Sequence, residues 1–249
     1  MIKSFKECNK TYDILYIGVT MVKKTCFTIL FLLIAFTLSA GDIAVFLNLG
    51  FSEDSQYFMF GQYGVYSNTT NAYAEVFIVN VAKNSFVPSG VIKKDFDIPL
   101  EPGNDGMGGI YYLLEINYPQ IKKYNINHLS SGRFVYVLLN GAPPKSMLEF
   151  RDFNTGAHYE VTLIQSSSGT EKNVSASFHI KIAVTFKNGR KENYTIGRPD
   201  YMRKGVKKYY IKYILLAPDS KSLVFVIEKH MTDASGDNIR YMVETKKIY

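Results

Sequence analysis

An all-β fold of antiparallel strands, propeller-like with about four blade-like units and a short helical insertion, is predicted by three observations. Tyrosine (19) and phenylalanine (17) are abundant while tryptophan is absent, which suits a sheet-rich chain. Short runs of β-forming residues recur between turn signals. An Asp-Ser turn feeding an apolar strand also occurs twice, in Phe51–Phe60 and Leu216–Phe225. Weaker turn-strand units start near residues 130 and 174, so the last three starts lie roughly 40–45 residues apart, a propeller-blade spacing. A β-sandwich whose tight turns chose Asp-Ser independently is the alternative.

The strands differ in pattern along the chain. Ala74–Val81, Phe134–Leu139 and Ser222–Ile227 are almost continuously apolar, as expected of strands covered on both faces. Ala157–Leu163 alternates, with Tyr159, Val161 and Leu163 inward and His158, Glu160 and Thr162 outward. Phe178–Ile182 puts His179 and Lys181 outward, and Lys187-Asn-Gly-Arg190 is a hairpin signal because Asn and Gly tolerate positive φ. In the repeated turns, Asp54 and Asp219 can accept hydrogen bonds from backbone N–H groups just downstream, with Ser55 and Ser220 completing the turn-capping motif. Near residues 109–129 the period changes: Ile110, Leu113, Leu114 and Asn117 fall at helical spacing, and Pro119 suits the first turn of a second short helix.

The N-terminus reads as an export address. Lys23 and Lys24 precede an apolar run from about Cys26 to Leu38, closed by Ser39, Ala40 and Gly41, which makes residues 21–40 a signal peptide cleaved near Ala40. Cleavage after Gly41 is the alternative. The run is shorter than the roughly 20 apolar residues of a spanning helix, so no transmembrane span is expected after cleavage. Residues 1–20 would make the leader unusually long and acidic, and are expected to be a mis-assigned extension with Met21 as the start. Removing residues 1–40 takes away five basic residues, two acidic residues and both cysteines, Cys8 and Cys26, lowering the formal charge from +7 to +4. Such a balance gives no nucleic-acid footprint. The mature chain, about 209 residues, is expected to be a single disulfide-free β-rich domain, large enough to bury roughly 70% of its unfolded surface.

No assembled catalytic set is visible. The four histidines share no metal-ligand spacing, and no Gly-x-Ser-x-Gly elbow occurs. The Gly103–Gly109 loop lacks the Gly-Lys-Ser/Thr ending of a phosphate loop and reads as a loop leading into a helix. Asp95, Asp97, Glu101 and Asp105, like Asp233 and Asp237, do not follow the alternating ligand pattern of a calcium loop. No metal or cofactor is therefore expected. The one charge concentration runs from Lys187 to Lys212, interleaved with tyrosines; Arg203, Lys204, Lys207 and Lys208 form its candidate anionic-ligand patch. A solvated edge protected by lysines is the competing reading.

Two resemblances carry further expectations. The Asp-Ser turn followed by a strand resembles the blade motif of periplasmic Tol-system propellers, commonly Ser-Pro-Asp-Gly, although Ser55 and Ser220 stand in the glycine position and Glu53 in that of the proline. From about Gly41 to the C-terminus, the motifs Asn48–Val65, Leu148–Gly156, Ala217–Glu228 and Ile239–Glu244 together resemble an uncharacterised bacterial family of predicted secreted proteins of unknown function. That resemblance implies export to the periplasm or beyond and a single domain; it transfers no activity or site residues. The expected function is a non-enzymatic envelope module binding an envelope protein or an anionic envelope polymer. The alternative is an exported, glycosidase-like hydrolase using paired carboxylates among Asp54, Asp152, Asp219 and Glu228.

Overall fold

The computed structural model describes residues 42–249, apart from residues 68, 70, 102, 171, 172, 234, 235 and 249. The leader and the expected N-terminal extension lie outside the described residues. The strands are β1 (Asp42–Ile43), β2 (Val45–Ser52), β3 (Tyr57–Val65), β4 (Asn71–Asn80) and β5 (Ser85–Pro99). Two helices follow, α1 (Gly108–Ile116) and α2 (Tyr118–Lys123). Then come β6 (Ile126–Asn127), β7 (Arg133–Val137), β8 (Met147–Arg151), β9 (His158–Ser168), β10 (Ser175–Thr185), β11 (Lys191–Lys204), β12 (Val206–Leu216), β13 (Ser222–Asp233) and β14 (Gly236–Lys247).

The strands form three sheets, ordered β5-β4-β3-β2-β6, β1-β14-β13-β12-β7 and β11-β10-β9-β8. All pairings are antiparallel except β1 with β14, where Asp42 and Ile43 lie parallel to Asn238 and Ile239. The all-β antiparallel class with a short helical insertion therefore holds, and the arrangement is compatible with both the propeller-like and the sandwich description. Three sheets stand where about four units were expected. The units starting near 130 and 174 do not remain separate: β9 and β10 pair along Ser168–Ser175 to His158–Thr185, so β8 to β11 form one continuous meander.

Side-chain alternation explains how the sheets meet. On β13, Leu223, Phe225 and Ile227 enter one core with Tyr159, Phe178 and Ile180, while Val224 and Val226 enter another with Phe51, Phe58 and Phe77. The β13 sheet is thus the middle layer, which is why its sequence is apolar without interruption. The β3–β4 sheet is also covered twice. Phe58 and Phe60 face the middle sheet, and Met59, Val76 and Ile78 face Ile110, Leu113 and Ile121 of the helices. At about 25 cal/mol per Å² of apolar surface, one fully buried phenylalanine contributes roughly 1.5–3 kcal/mol, so these paired faces dominate stability.

The run Phe134–Leu139 departs from its expected double coverage. Its strand, β7, is an edge strand that among the described residues pairs only with β12, and Phe134 and Val137 stay 47% and 43% exposed. Continuous apolarity marks a strand able to be covered on both faces; it does not supply the second layer.

Candidate functional site

The two Asp-Ser turns are geometrical copies. Ser55 N–H donates to the Ser52 carbonyl (2.9 Å) and Ser220 N–H to that of Ala217 (2.8 Å). Asp54 Oδ1 accepts from Gln56 N–H (3.0 Å), and Asp219 Oδ1 from Lys221 N–H (2.9 Å). Ser55 and Ser220 both sit at positive φ, 58° and 57°, the conformation glycine takes without penalty. Downstream, the Gln56 carbonyl accepts from Val81 N–H and that of Lys221 from Ile248 N–H, so the correspondence extends over β2-β3-β4 and β12-β13-β14. The turns also touch: Asp219 N–H donates to Ser55 Oγ at 3.3 Å. The Ser52 hydroxyl and Gln56 N–H hold the Asp54 carboxyl below its ordinary value, as fits a fixed cap.

The basic patch is divided at the corner where the chain leaves β11 and enters β12 through Gly205, φ +75°. The Arg203 guanidinium lies over the rings of Tyr201 (5.1 Å), Phe178 (5.4 Å) and Tyr209 (5.9 Å). Lys204 is exposed. Lys207 pairs with Asp237 at 2.5 Å, and Lys208 lies over Tyr210 at 5.0 Å; both border a hollow with His230 and Ile239. Arg203 instead lines a different cavity, with Arg198.

The carboxylates considered for hydrolysis are each engaged locally. Asp152, whose side chain is fully covered, accepts both terminal nitrogens of Arg133, Thr155 Oγ1 at 2.5 Å, and the backbone N–H groups of Asn154 and Thr155. Arg133 and these donors hold its carboxyl well below the usual range, against the opposing effect of burial. Glu228 lies 3.3 Å from Lys212 and from His230, and accepts from Tyr241 Oη at 3.4 Å. Burial works to raise Glu228, but His230 and Lys212 more than offset it, leaving the carboxyl below its ordinary value. His158 reaches Glu149 on β8 (3.0 Å), and His128 bonds the Leu49 carbonyl (2.7 Å).

A concavity lies where β5 passes beneath the Gly103–Gly109 loop and the start of α1. It encloses about 650 Å³ between Phe96, Ile98, Leu100, Met107 and Tyr112. Sequence reasoning missed these residues, because Asp95-Phe-Asp-Ile98 alternates like any half-exposed strand. Tight packing closes the floor: a Cβ on Gly109 would lie 2.7 Å from the Phe96 ring and 3.0 Å from Ala74 Cβ. Phe96 and Tyr112 meet edge to face at 5.7 Å, and Lys94 Nζ donates to Tyr112 Oη at 3.0 Å.

The acidic residues around this cleft do not converge on one another. Asp95 accepts from Tyr66 Oη (2.7 Å), Asp97 from Asn71 Nδ2 (3.3 Å), and Asp105 from Tyr63 Oη (3.1 Å) and Met107 N–H (2.9 Å). Burial, then the Asp105 hydrogen bond, raises the Tyr63 hydroxyl, so it stays protonated as the donor. Among the described residues, no group of three or more His, Cys, Asp or Glu side chains is placed to hold a metal ion.

Comparison with known proteins gives one finding. A family model described as "Predicted secreted protein (DUF2259)" matches residues 59–247. No curated protein and no solved structure matches the chain. Among the described residues no helix is long and apolar enough to cross a membrane.

Proposed function

From the premise that the chain belongs to this family of predicted secreted proteins, we propose that it is a non-enzymatic binding module of the cell envelope, exported by a leader cleaved near Ala40. The cleft beneath α1 takes a small aromatic or aliphatic group of its partner. The observation that carries this reading is the cleft itself: about 650 Å³, with apolar walls from Phe96, Ile98, Leu100, Met107 and Tyr112 and polar side chains among them. Apolar concavities of this size with a few oriented polar groups are typical ligand sites. Lys94, Asp95, Asp97, Asn104, Asp105 and Tyr112 Oη supply those polar groups. The basic corner of Lys204, Lys207 and Lys208 would add a contact to an anionic envelope polymer or an acidic protein, on a surface separate from the cleft.

Asp54, Asp152 and Glu228 are each held below their ordinary values by local partners, whereas a glycosidase's general acid must be raised to carry its proton near neutral pH, and this supports binding over hydrolysis. The test uses mature protein, residues 41–249, titrated with the apolar fluorophore N-phenyl-1-naphthylamine. Saturable fluorescence enhancement is expected, lost in Ile98→Glu and Met107→Glu. Phe153→Glu, which changes an exposed ring outside the cleft, should leave it intact. Equal loss in all three variants would remove the cleft from the proposal. Turnover of a labelled envelope glycan, abolished by Glu228→Gln, would instead establish the hydrolase.

A further inference from the structure

A second cavity, of about 490 Å³, opens where all three sheets come together. Its walls come from the β4–β5 turn (Lys83, Asn84), from β11 (Arg198, Arg203) and from β14 (Val243, Glu244). The middle sheet is incomplete along this side: among the described residues β1 pairs with β14 only at Asn238 and Ile239, and the rest of the β14 edge has no neighbouring strand. Side chains from the next sheet cap part of that edge. Gln62 Oε1 accepts from Tyr241 N–H (2.6 Å), and Asn84 Oδ1 from Thr245 N–H (2.8 Å). Val243 lies midway between them and lines the cavity; strand alternation points its N–H the same way.

The charges on the walls are unbalanced. Lys83, Arg198 and Arg203 face a single carboxylate, Glu244, and among the described residues none of the three cations has a carboxylate within ion-pair distance. Glu244 is buried and accepts from Asn84 Nδ2. Burial raises its carboxyl, against the lowering effects of Asn84, Arg203 and Arg198. Arg203 Nη1 is buried with no hydrogen-bond partner, although the guanidinium is held in place by its aromatic neighbours. A buried charged donor left unpaired is costly, and its usual compensation is an anionic acceptor.

We propose that this cavity is a phosphate site, taking a phosphomonoester on Arg198, Arg203, Lys83 and the outward N–H of Val243. Three cations against one carboxylate leave two positive charges. A dianionic phosphomonoester balances both, whereas a carboxylate or a phosphodiester balances one. Guanidinium groups suit the task because their forked donors match phosphate oxygens. The site is independent of the apolar cleft and of the basic corner, and takes only Arg203 from the anionic-ligand patch predicted from the sequence.

Calorimetric titration of the mature protein at fixed ionic strength tests the assignment, with inorganic phosphate, dimethyl phosphate and acetate as probes. Phosphate is expected to saturate at one equivalent, with the other two at least about tenfold weaker. Arg198→Gln and Arg203→Gln should each weaken phosphate about tenfold or more, the loss of a charge-assisted contact. Lys145→Gln removes an equal charge at an exposed position outside the cavity and the basic corner and should change nothing. Absence of saturation by about 10 mM phosphate overturns the proposal, as does a Lys145→Gln loss equal to that of Arg198→Gln. Dimethyl phosphate binding as tightly as phosphate would overturn the monoester assignment. Because Arg203 packs on core rings, its variant is accompanied by a thermal melt; the exposed Arg198 carries the test if Arg203→Gln is destabilised, and unchanged phosphate binding in Arg198→Gln refutes the site.

Discussion

Replacing Asp152 by asparagine probes the most heavily bonded carboxylate described in the chain. It accepts two bonds from Arg133, two from Thr155 and one from Asn154, with no solvent exposure of its own side chain. Asparagine keeps the shape but loses the charge and one acceptor. Breaking a buried pair costs about 3–5 kcal/mol when the remaining charge stays buried. Here Arg133 is 38% exposed and can be rehydrated, so the expected loss at pH 7 falls to about 2 kcal/mol.

The pH dependence separates the ion pair from general disruption. The folded-state value of Asp152 is depressed, so its stabilisation is complete above the unfolded-state value of about 3.9 and is lost as pH falls toward the folded value. At pH 3 the unfolded aspartate is mostly protonated while the folded one is still ionised. The wild type therefore forfeits about 1.3 kcal/mol of this contribution between pH 7 and pH 3. The asparagine variant forfeits none, and all other carboxylates titrate in both proteins. Urea unfolding at the two pH values should show the gap narrowing by about that amount. A gap that is below about 0.5 kcal/mol at pH 7, or that stays constant down to pH 3, would refute the reasoning.

Two further changes test the turns and the cleft. Ser220→Gly relieves a positive-φ side chain without removing a described hydrogen bond, whereas Ser55→Gly also removes the acceptor for Asp219 N–H. Added freedom in the unfolded chain is common to both, so Ser55→Gly should be the less stable by about 1 kcal/mol in denaturant melts; equal stabilities would mean that the contact between the turns contributes nothing. Gly109→Ala places a methyl group against Phe96 and Ala74, and overpacking of about 1–3 kcal/mol should exceed its helix-propensity gain of up to about 1 kcal/mol. A lower melting temperature together with weaker naphthylamine binding is expected, and unchanged values of both would show that the floor of the cleft yields freely.

What the sequence made legible is what neighbouring residues decide. Strand alternation at Tyr159, Val161 and Leu163 places all three in the core. The Asn188-Gly189 hairpin forms between β10 and β11, with Gly189 at φ +83°. The Asp54 and Asp219 turns fold alike because their hydrogen bonds span two or three residues. Sheet membership was not legible in this way. Whether β10 pairs with β9 or starts a new unit depends on long-range competition between edges, and no local signal encodes it. The same limit hid the second cavity: Arg198 and Arg203 stood out within a charge-rich stretch, but Asn84 lies more than a hundred residues before them in the chain and Glu244 is brought in by a different sheet.

Both cavities arise from one physical problem, the completion of sheet edges. An exposed edge presents unpaired backbone groups that invite pairing with another chain, and proteins cover or charge such edges. Here β5 is an edge strand of 15 residues, half as long again as its 10-residue neighbour β4, and its far end carries Lys93, Lys94, Asp95 and Asp97 beneath a helical cover. Glycines at 106 and 109 let that cover approach, but the Phe96–Leu100 segment continues past it and leaves the cleft. On the middle sheet β1 is only two residues long, so Gln62 and Asn84 cap part of β14 and cations flank the remainder. Filling either gap with a strand would give a better-protected sheet, and the unpaired Arg203 nitrogen would still lack an acceptor. That leftover donor distinguishes edge protection from the proposed binding site, because lysines in solvent suffice to protect an edge whereas a buried guanidinium nitrogen without an acceptor costs stability that an anion in the cavity would recover.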